Sequence, residues 1–239
     1  MTSASLDRRQ RAGLHFGVHA VLVSVGTVVL GVPFVLLVVW VRQQSNWVQT
    51  LDRRAGAALH TFGTHHSGFV TAMRVVSDVG APGVWWIAIL PAAALLVRRG
   101  ARRRPMFAVV TFGGSWVLNR LVKSAVHRGR PHFPNTFATA HGASFPSGHA
   151  QAATVACGVL LVVGWADLSR RGRILGAAGG AFVVVVVAFS RVALGVHFVS
   201  DVVAAVLLGI AWLLLMTAAF TAWRHEATVP TRGPEDRTR

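Results

Sequence analysis

The chain has 239 residues, of which 53% are hydrophobic and only 13% are charged. Its 24 basic residues outnumber the 8 acidic ones and give a formal net charge of +16. Long apolar runs exclude an ordinary soluble domain and place the chain in the membrane class. The basic residues stand in short clusters between those runs, not on one basic face with interleaved aromatics, so nucleic-acid binding is not predicted. The single cysteine, Cys157, excludes a disulfide and a cysteine-rich metal site.

Six apolar runs predict an all-α fold, a bundle of six transmembrane helices. The first run, 16–41, has 26 residues without a charge, more than the ~20 needed to cross the hydrocarbon core. The other runs are 79–97, a run that begins at 106, 150–166, 174–189 and 202–223. Residues 15–223 are therefore the predicted membrane domain, between a polar segment 1–14 and a disordered tail 224–239. The connection 42–78 is predicted to carry one or two short interfacial helices, with His65 and His66 in an exposed loop rather than a metal site.

Charge predicts how this bundle is oriented in the cell membrane. Six spans place both termini, the loop 98–104 and the loop 166–173 on one side, and all four segments are rich in arginine. The positive-inside rule makes that side cytoplasmic. The connection 122–149 then faces outward although it is also basic, an exception that an anion site at the extracytoplasmic face would explain.

Three polar blocks at the predicted outer face carry the candidate chemistry. In block 123–131, Lys123 and Arg130 are seven residues apart, on one helical face if the helix continues to Gly129 and Pro131. Two side chains snorkelling at a membrane edge would explain this pair equally well. The neighbours His127, Arg128 and His132 are interpreted as a solvated basic rim in preference to substrate-loop residues.

The second block, 146–149, reads Pro-Ser-Gly-His directly before an apolar run. Ser147 is a good helix cap, Gly148 lets a ligand approach the backbone, and the free N–H groups at a helix start favour an anion. His149 then lies in the first helical turn, near that anion. Taken alone, the block is more typical of an ordinary capped helix start with an interfacial histidine.

The third block, 190–201, contains Ser190, Arg191, His197 and Asp201. His197 and Asp201 are four residues apart, so on the first turns of the sixth helix they face the same way. The carboxylate can accept the Nδ1 proton and leave Nε2 free as a nucleophile. A buried His–Asp pair kept for structure is the alternative.

Together, the three blocks resemble the type 2 phosphatidic acid phosphatase superfamily, which also contains vanadium haloperoxidases and glucose-6-phosphatase. Its pattern is Lys-x6-Arg-Pro, then Pro-Ser-Gly-His, then Ser-Arg-x5-His-x3-Asp. Every fixed position is matched here, including Pro131, Pro146 and Ser190. The resemblance covers 123–201 closely and does not cover the connection 42–78.

This resemblance implies a role for each matched residue. His197 would attack phosphorus and form a phosphohistidine, with Asp201 orienting it. His149 would protonate the leaving oxygen and then activate water. The phosphate oxygens would be held by Lys123, Arg130, Ser147, Gly148 and Arg191. Because three cations neutralise the phosphate, no metal or other cofactor is expected.

The expected substrate is a membrane lipid phosphate or diphosphate that enters from the bilayer, such as undecaprenyl diphosphate or a phosphatidic acid-like lipid. Two alternatives stay open at this point. One is a lipid phosphotransferase that uses the same phosphohistidine. The other is a non-enzymatic membrane protein whose charges line an anion pathway, although the chain lacks the internal repeat typical of transporters.

Overall fold

The computed structural model describes residues 25–134 and 136–226, and within these ranges all regular structure is helical. There are eight helices in the described part of the chain: α1 Val25–Arg42, α2 Asn46–His65, α3 Ser67–Val79, α4 Pro82–Arg98, α5 Arg103–Val126, α6 Gly148–Gly164, α7 Arg170–Ala193 and α8 Val199–Glu226. The predicted all-α class is therefore confirmed. The predicted N-terminal segment 1–14 and residues 227–239 of the predicted tail lie outside the described residues.

Helix α6 is the centre of the bundle. It packs against α5, α7 and α8, and also against α4. Its buried face carries the small residues Ala150, Ala153 and Ala156, all at 0% exposure, which lets neighbouring backbones approach closely. On α7, Gly180 lies against Cys157 of α6 in the same way.

The distribution of polar and apolar side chains is that of a membrane protein. Large apolar side chains are exposed, such as Val28 at 62% on α1 and Phe182 at 69% on α7. Meanwhile Arg191, His197 and Asp201 are buried. Because water would favour the opposite arrangement, the exposed apolar surface indicates contact with lipid.

Three helices are long and apolar enough to cross a bilayer: α1, α7 and the Val199–Thr221 part of α8. Helices α3 and α4 meet at an angle of 45° and qualify together as a fourth span. Helix α6 is apolar but has only 17 residues. Helix α5 is less apolar because Asn119, Arg120 and Lys123 lie in its second half.

The connection 42–78 is helical along most of its length. Helix α2 has 20 residues, more than the short helices predicted there, and packs against α7 and α8, while α3 packs against α7. His65 ends α2 and His66 lies between the two helices, and both side chains are exposed. Residues that the sequence assigned to a connection therefore form a helical layer against the bundle.

The corner between α3 and α4 gives a test of this packing. A Cβ added to Gly80 would lie 2.8 Å from both methyl groups of Val187 on α7, and a β-branched side chain cannot easily move away. We expect Gly80→Ala to lower the free energy of unfolding by ~1–3 kcal/mol, measured from thermal unfolding in detergent.

The matched control is Gly83→Ala, where an added Cβ would meet nothing within 4 Å. The double variant Gly80→Ala/Val187→Ala should recover part of the loss. Equal melting temperatures for the Gly80→Ala and Gly83→Ala proteins would contradict the close contact between this corner and α7.

Candidate active site

The three sequence blocks meet in one place, between the loop after α5, the start of α6 and the turn that joins α7 to α8. The backbone N–H of Ser147 donates to the carbonyl of Asp201 at 3.1 Å, which joins the second block to the third. Arg130 lies 3.3 Å from the His197 ring, which joins the first block to the third. The Arg191 carbonyl accepts the His197 backbone N–H at 3.3 Å and so shapes the turn.

His197 is held in a single tautomer by partners that have only one hydrogen-bonding role. Its Nδ1 lies 3.4 Å from Asp201 Oδ2, and a carboxylate can only accept, so Nδ1 carries the proton. Its Nε2 lies 3.3 Å from Arg130 Nη1, and a guanidinium can only donate, so Nε2 carries a lone pair. His197 precedes α8, which begins at Val199, so it lies in a turn and not on the helix as predicted.

Burial favours the same neutral state of His197. Burial lowers the pKa of His197 to about 4, and Asp201 opposes that effect only in part. The imidazole is therefore neutral at pH 7, and Nε2 carries a lone pair. Burial also lowers the pKa of the Arg130 guanidinium, which starts so high that the group keeps its charge at neutral pH.

Asp201 is fixed by a second cation, Arg128. Arg128 Nη1 donates to Asp201 Oδ1 at 2.6 Å, and its Nη2 donates to Asp52 Oδ2 on α2 at 2.7 Å. Both carboxylates are almost completely buried, with side chains 0% and 1% exposed. Asp52 also accepts from the backbone N–H and the hydroxyl of Ser200 at the start of α8. One guanidinium therefore ties α2 to the carboxylate that orients His197.

The interpretation of Arg128 as a solvated rim residue is wrong. Its side chain is only 14% exposed, and its guanidinium lies over the Phe198 ring at 4.2 Å from the ring centroid. The two histidines interpreted with it, His127 and His132, are indeed exposed. Lone charges between apolar runs do not reveal their partners, so the sequence could not tell Arg128 from its neighbours.

Lys123 and Arg130 converge from different elements. Helix α5 ends at Val126 with His127 in the left-handed region at φ 52°, so Arg130 lies in the loop and not two helical turns beyond Lys123 as predicted. Both side chains donate to the Ala143 carbonyl, at 2.5 Å from Lys123 Nζ and 3.3 Å from Arg130 Nη2. The loop backbone therefore gathers the two cations that helical periodicity was expected to align.

The start of α6 follows the sequence prediction in outline. Ser147 is the N-cap, α6 begins at Gly148, and His149 lies in the first turn. The Ser147 side chain makes no capping bond: its buried Oγ has no hydrogen-bond partner in the described part of the chain. That hydroxyl is therefore available for a ligand at the helix start, where free N–H groups also favour an anion.

Arg191 is buried near the end of α7 and donates through Nη1 to Ser77 Oγ of α3. Its Nε is buried without a partner among the described residues. Buried donors are normally satisfied, so Nε, like the Ser147 hydroxyl, is available to a ligand. Ser77, like Asp52, lies in the connection that the resemblance did not cover. The sequence signal that could have drawn attention to Asp52 is the rarity of acidic residues, of which the chain has only 8.

A helical membrane protein whose three motifs bring an oriented imidazole, a second histidine and three cations together falls in the class of integral-membrane phosphatases. No group of three or more His, Cys, Asp or Glu side chains that could hold a metal occurs among the described residues.

The chain belongs to the PAP2 superfamily, whose model matches residues 104–225, and it is accordingly a phosphoric ester hydrolase. The resemblance read from the three motifs is thereby confirmed.

Two relatives are phosphatases by name. Decaprenylphosphoryl-5-phosphoribose phosphatase from Mycolicibacterium smegmatis is 33% identical over 142 residues, which are 57% of this chain and 71% of the relative. Phosphatidylglycerophosphatase B from Bacillus subtilis is 33% identical over 114 residues, 46% of this chain and 55% of the relative, so the match spans about half of that protein.

The fold also matches a solved structure. The crystal structure of a transmembrane PAP2-type phosphatidylglycerolphosphate phosphatase from Bacillus subtilis aligns with a TM-score of 0.74. The alignment covers 86% of this chain and 98% of that chain at 24% sequence identity, and at that identity it shows the fold alone.

The bridge made by Arg128 gives a prediction about stability and turnover. In Arg128→Gln, two buried carboxylates lose their shared cation, and we expect a loss of ~3–5 kcal/mol in the free energy of unfolding. Turnover should fall as well because Asp201 is no longer fixed. Arg128→Lys should recover only part of both, since one ammonium cannot bridge two carboxylates as a guanidinium does.

The control is Arg104→Gln at the exposed pair Arg104–Asp167, whose side chains are 43% and 61% exposed and 3.0 Å apart. We expect a change of ~0–1 kcal/mol there. Melting curves and phosphate release, measured in one detergent, check both variants. If Arg128→Gln were as stable and active as Arg104→Gln, the bridge would have no role.

Proposed function

We propose that this protein hydrolyses a phosphate ester of a membrane lipid through a phosphohistidine on His197, without a metal ion. The observation that carries the proposal is the His197 ring held between Asp201 and Arg130. It has a proton on the carboxylate side and a lone pair on the side of the cations. Membership in the PAP2 superfamily supports the reaction class.

In the first step, the Nε2 lone pair attacks phosphorus while the bond from phosphorus to the leaving oxygen breaks. His149 gives its proton to that oxygen, and the phosphoryl group is now on His197. Asp201 stabilises the positive charge that develops on the ring. In the second step, His149 takes a proton from water, the water oxygen attacks phosphorus, and the P–N bond breaks with its electron pair returning to Nε2.

The cations stabilise the negative charge that shifts among the three equatorial oxygens of the phosphoryl group during its transfer. Lys123 and Arg130 approach from one side, and Arg191 approaches from the end of α7. The unpaired Ser147 hydroxyl and the Gly148 amide add uncharged donors at the start of α6. Fixed donors of this kind stabilise a transition state without reorganising during the reaction.

The substrate class follows from the relatives and from the surroundings of the site. The names of the two curated relatives describe phosphates carried on the headgroup of a lipid. The exposed apolar faces of α1 and α7 would place this site in contact with bilayer lipid. We therefore propose a lipid phosphate as the substrate, with a polyprenyl diphosphate such as undecaprenyl diphosphate as the alternative.

We further propose that α1, α4, α5, α6, α7 and α8 cross the membrane as six spans and that the site faces the extracytoplasmic side. The arginine-rich loops support this orientation, because Arg98 and Arg99 end α4, and Arg170 and Arg171 begin α7, both at the end away from the site.

The two histidines should be separable by their chemistry. His197→Ala should abolish both phosphoenzyme and turnover, because the nucleophile is gone. His149→Ala should slow the release of an alkoxide by about 10²–10⁴-fold, since a poor leaving group needs a proton. With p-nitrophenyl phosphate, which needs that proton less, the His149→Ala enzyme should still become phosphorylated. Because its water-activating base is gone, the intermediate should accumulate.

The measurement is acid-quenched phosphoenzyme together with phosphate release, for both variants and both kinds of ester. The exposed His66→Ala serves as the matched histidine control and should behave as the native enzyme does. If phosphoenzyme formed in His197→Ala but not in His149→Ala, the two roles would be reversed.

Orientation is testable by labelling an introduced cysteine in a protein whose Cys157 is replaced by alanine. Thr139 is exposed in the loop between α5 and α6, so Thr139→Cys should react with a membrane-impermeant thiol reagent on intact cells. Ala166→Cys, exposed in the connection between α6 and α7, should react only after permeabilisation. The reverse pattern would place the site in the cytoplasm.

A further inference from the structure

A polar cavity, the Arg128 cavity, lies outside the catalytic motifs. It has a volume of about 440 Å³ and is enclosed by the end of α1, the first half of α2, the end of α5 and the loop that follows α5. Its lining contains none of the fixed motif positions, and its charged members are Arg42, Arg53, Arg128 and Asp52. The proposed reaction therefore does not account for this cavity.

Three arginines line the Arg128 cavity, and only one of them is neutralised by the protein. Arg128 donates to two buried carboxylates, Asp52 and Asp201. In the described part of the chain, Arg42 and Arg53 have no carboxylate within ion-pair distance, and the Arg42 side chain makes no hydrogen bond. Because like charges gathered around one cavity repel each other, this arrangement favours an anion between them.

Arg53 is held at the cavity by a carboxamide of fixed orientation. Gln49 Nε2 donates at 2.8 Å to the backbone carbonyl of Gln44, a group that can only accept. Gln49 Oε1 is therefore free to accept from Arg53 Nη1, which lies 3.0 Å away. A guanidinium has five N–H donors, and this bond is the one that Arg53 makes within the described residues. Its other donors are available to a ligand.

The backbone on two sides of the cavity has an unusual conformation. Gln44 and His127, both in the lining, are the two non-glycine residues with positive φ among the described residues, each at 52°. Residues with a Cβ rarely adopt this left-handed region, and such conformations concentrate at ligand-binding sites. Gln44 follows the end of α1 and His127 follows the end of α5, so two helix ends turn around the same cavity.

The surroundings of the cavity favour a lipid as the source of the anion. Just before the cavity, α1 exposes Val35 at 56% and Val39 at 39%, and exposed apolar side chains of this kind indicate contact with lipid. Trp40 lines the cavity, and tryptophan is enriched where a bilayer meets water. The headgroup of a neighbouring lipid can therefore reach the arginines while its chains stay beside α1.

We propose that the Arg128 cavity binds the phosphate group of an anionic bilayer lipid, with Arg42 and Arg53 as the cations that hold it. This anion site is separate from the one proposed for catalysis. Arg128 belongs both to the cavity wall and to the bridge that fixes Asp201, so the bound phosphate would lie beside the residue on which the orientation of His197 depends.

The test titrates dioctanoyl-phosphatidylglycerol into the purified protein in a non-ionic detergent and counts the bound lipid by native mass spectrometry. Arg42→Gln and Arg53→Gln should each raise the Kd by about 5-fold, the size expected for one cation near a lipid phosphate. Arg54→Gln is the matched control, since Arg54 is exposed next to Arg53 but does not line the cavity, and it should keep the native Kd. Dioctanoyl-phosphatidylcholine carries no net charge and should bind more weakly.

A further variant separates this site from the catalytic one. Lys123→Gln removes an expected phosphate ligand outside the cavity and should keep the native Kd for phosphatidylglycerol. Loss of the lipid in Lys123→Gln, with retention in Arg42→Gln and Arg53→Gln, would place it in the catalytic site and overturn the inference. Equal affinity of the native protein for the two lipids would also overturn it.

The same titration with inorganic phosphate identifies the source of the anion. Binding that depends on Arg53 for phosphate but not for the lipid would support the site and assign it to the free ion. Failure of the native protein to bind either would overturn the inference. None of these outcomes depends on turnover, so the proposed function is tested separately.

Discussion

The Arg128 guanidinium is the contact on which the rest of the site depends. It lies between Asp52 and Asp201, two buried carboxylates that an apolar bundle could not tolerate alone. Because Asp201 in turn fixes His197, an ion pair that includes α2 determines the direction of the lone pair on His197 Nε2. An active site made from the motif residues alone would leave Asp201 without its closest cation.

This dependence explains why the layer formed by α2 and α3 is part of the same structural unit as the three motifs. Asp52 of α2 holds the start of α8 through Ser200, and Ser77 of α3 holds Arg191 at the end of α7. The two helix ends that carry the third motif are therefore each anchored by a polar residue of this layer. Buried polar bonds in an apolar surrounding are costly to leave unmade, so each anchor restricts its helix to one position.

The sequence predicted the components of the site better than their positions. Long apolar runs and three spaced motifs were sufficient for the helical class and for the convergence of Lys123, Arg130 and His197. The placement of Arg130 in a loop was not foreseen, because one residue, His127, adopts the left-handed conformation that ends α5. The partners of Arg128 were not foreseen either, since Asp52 is 76 residues away and no local period connects them.

One physical constraint orients the central histidine of this site. An imidazole can carry its proton on either ring nitrogen, whereas a carboxylate only accepts a hydrogen bond and a guanidinium only donates one. At His197, Asp201 faces Nδ1 and Arg130 faces Nε2, so a single tautomer is compatible with both partners. Both partners are themselves fixed: Arg128 donates to Asp201, and the backbone carbonyls of Val196, His141 and Gly142 accept from Arg130. The ring is therefore oriented before any substrate binds.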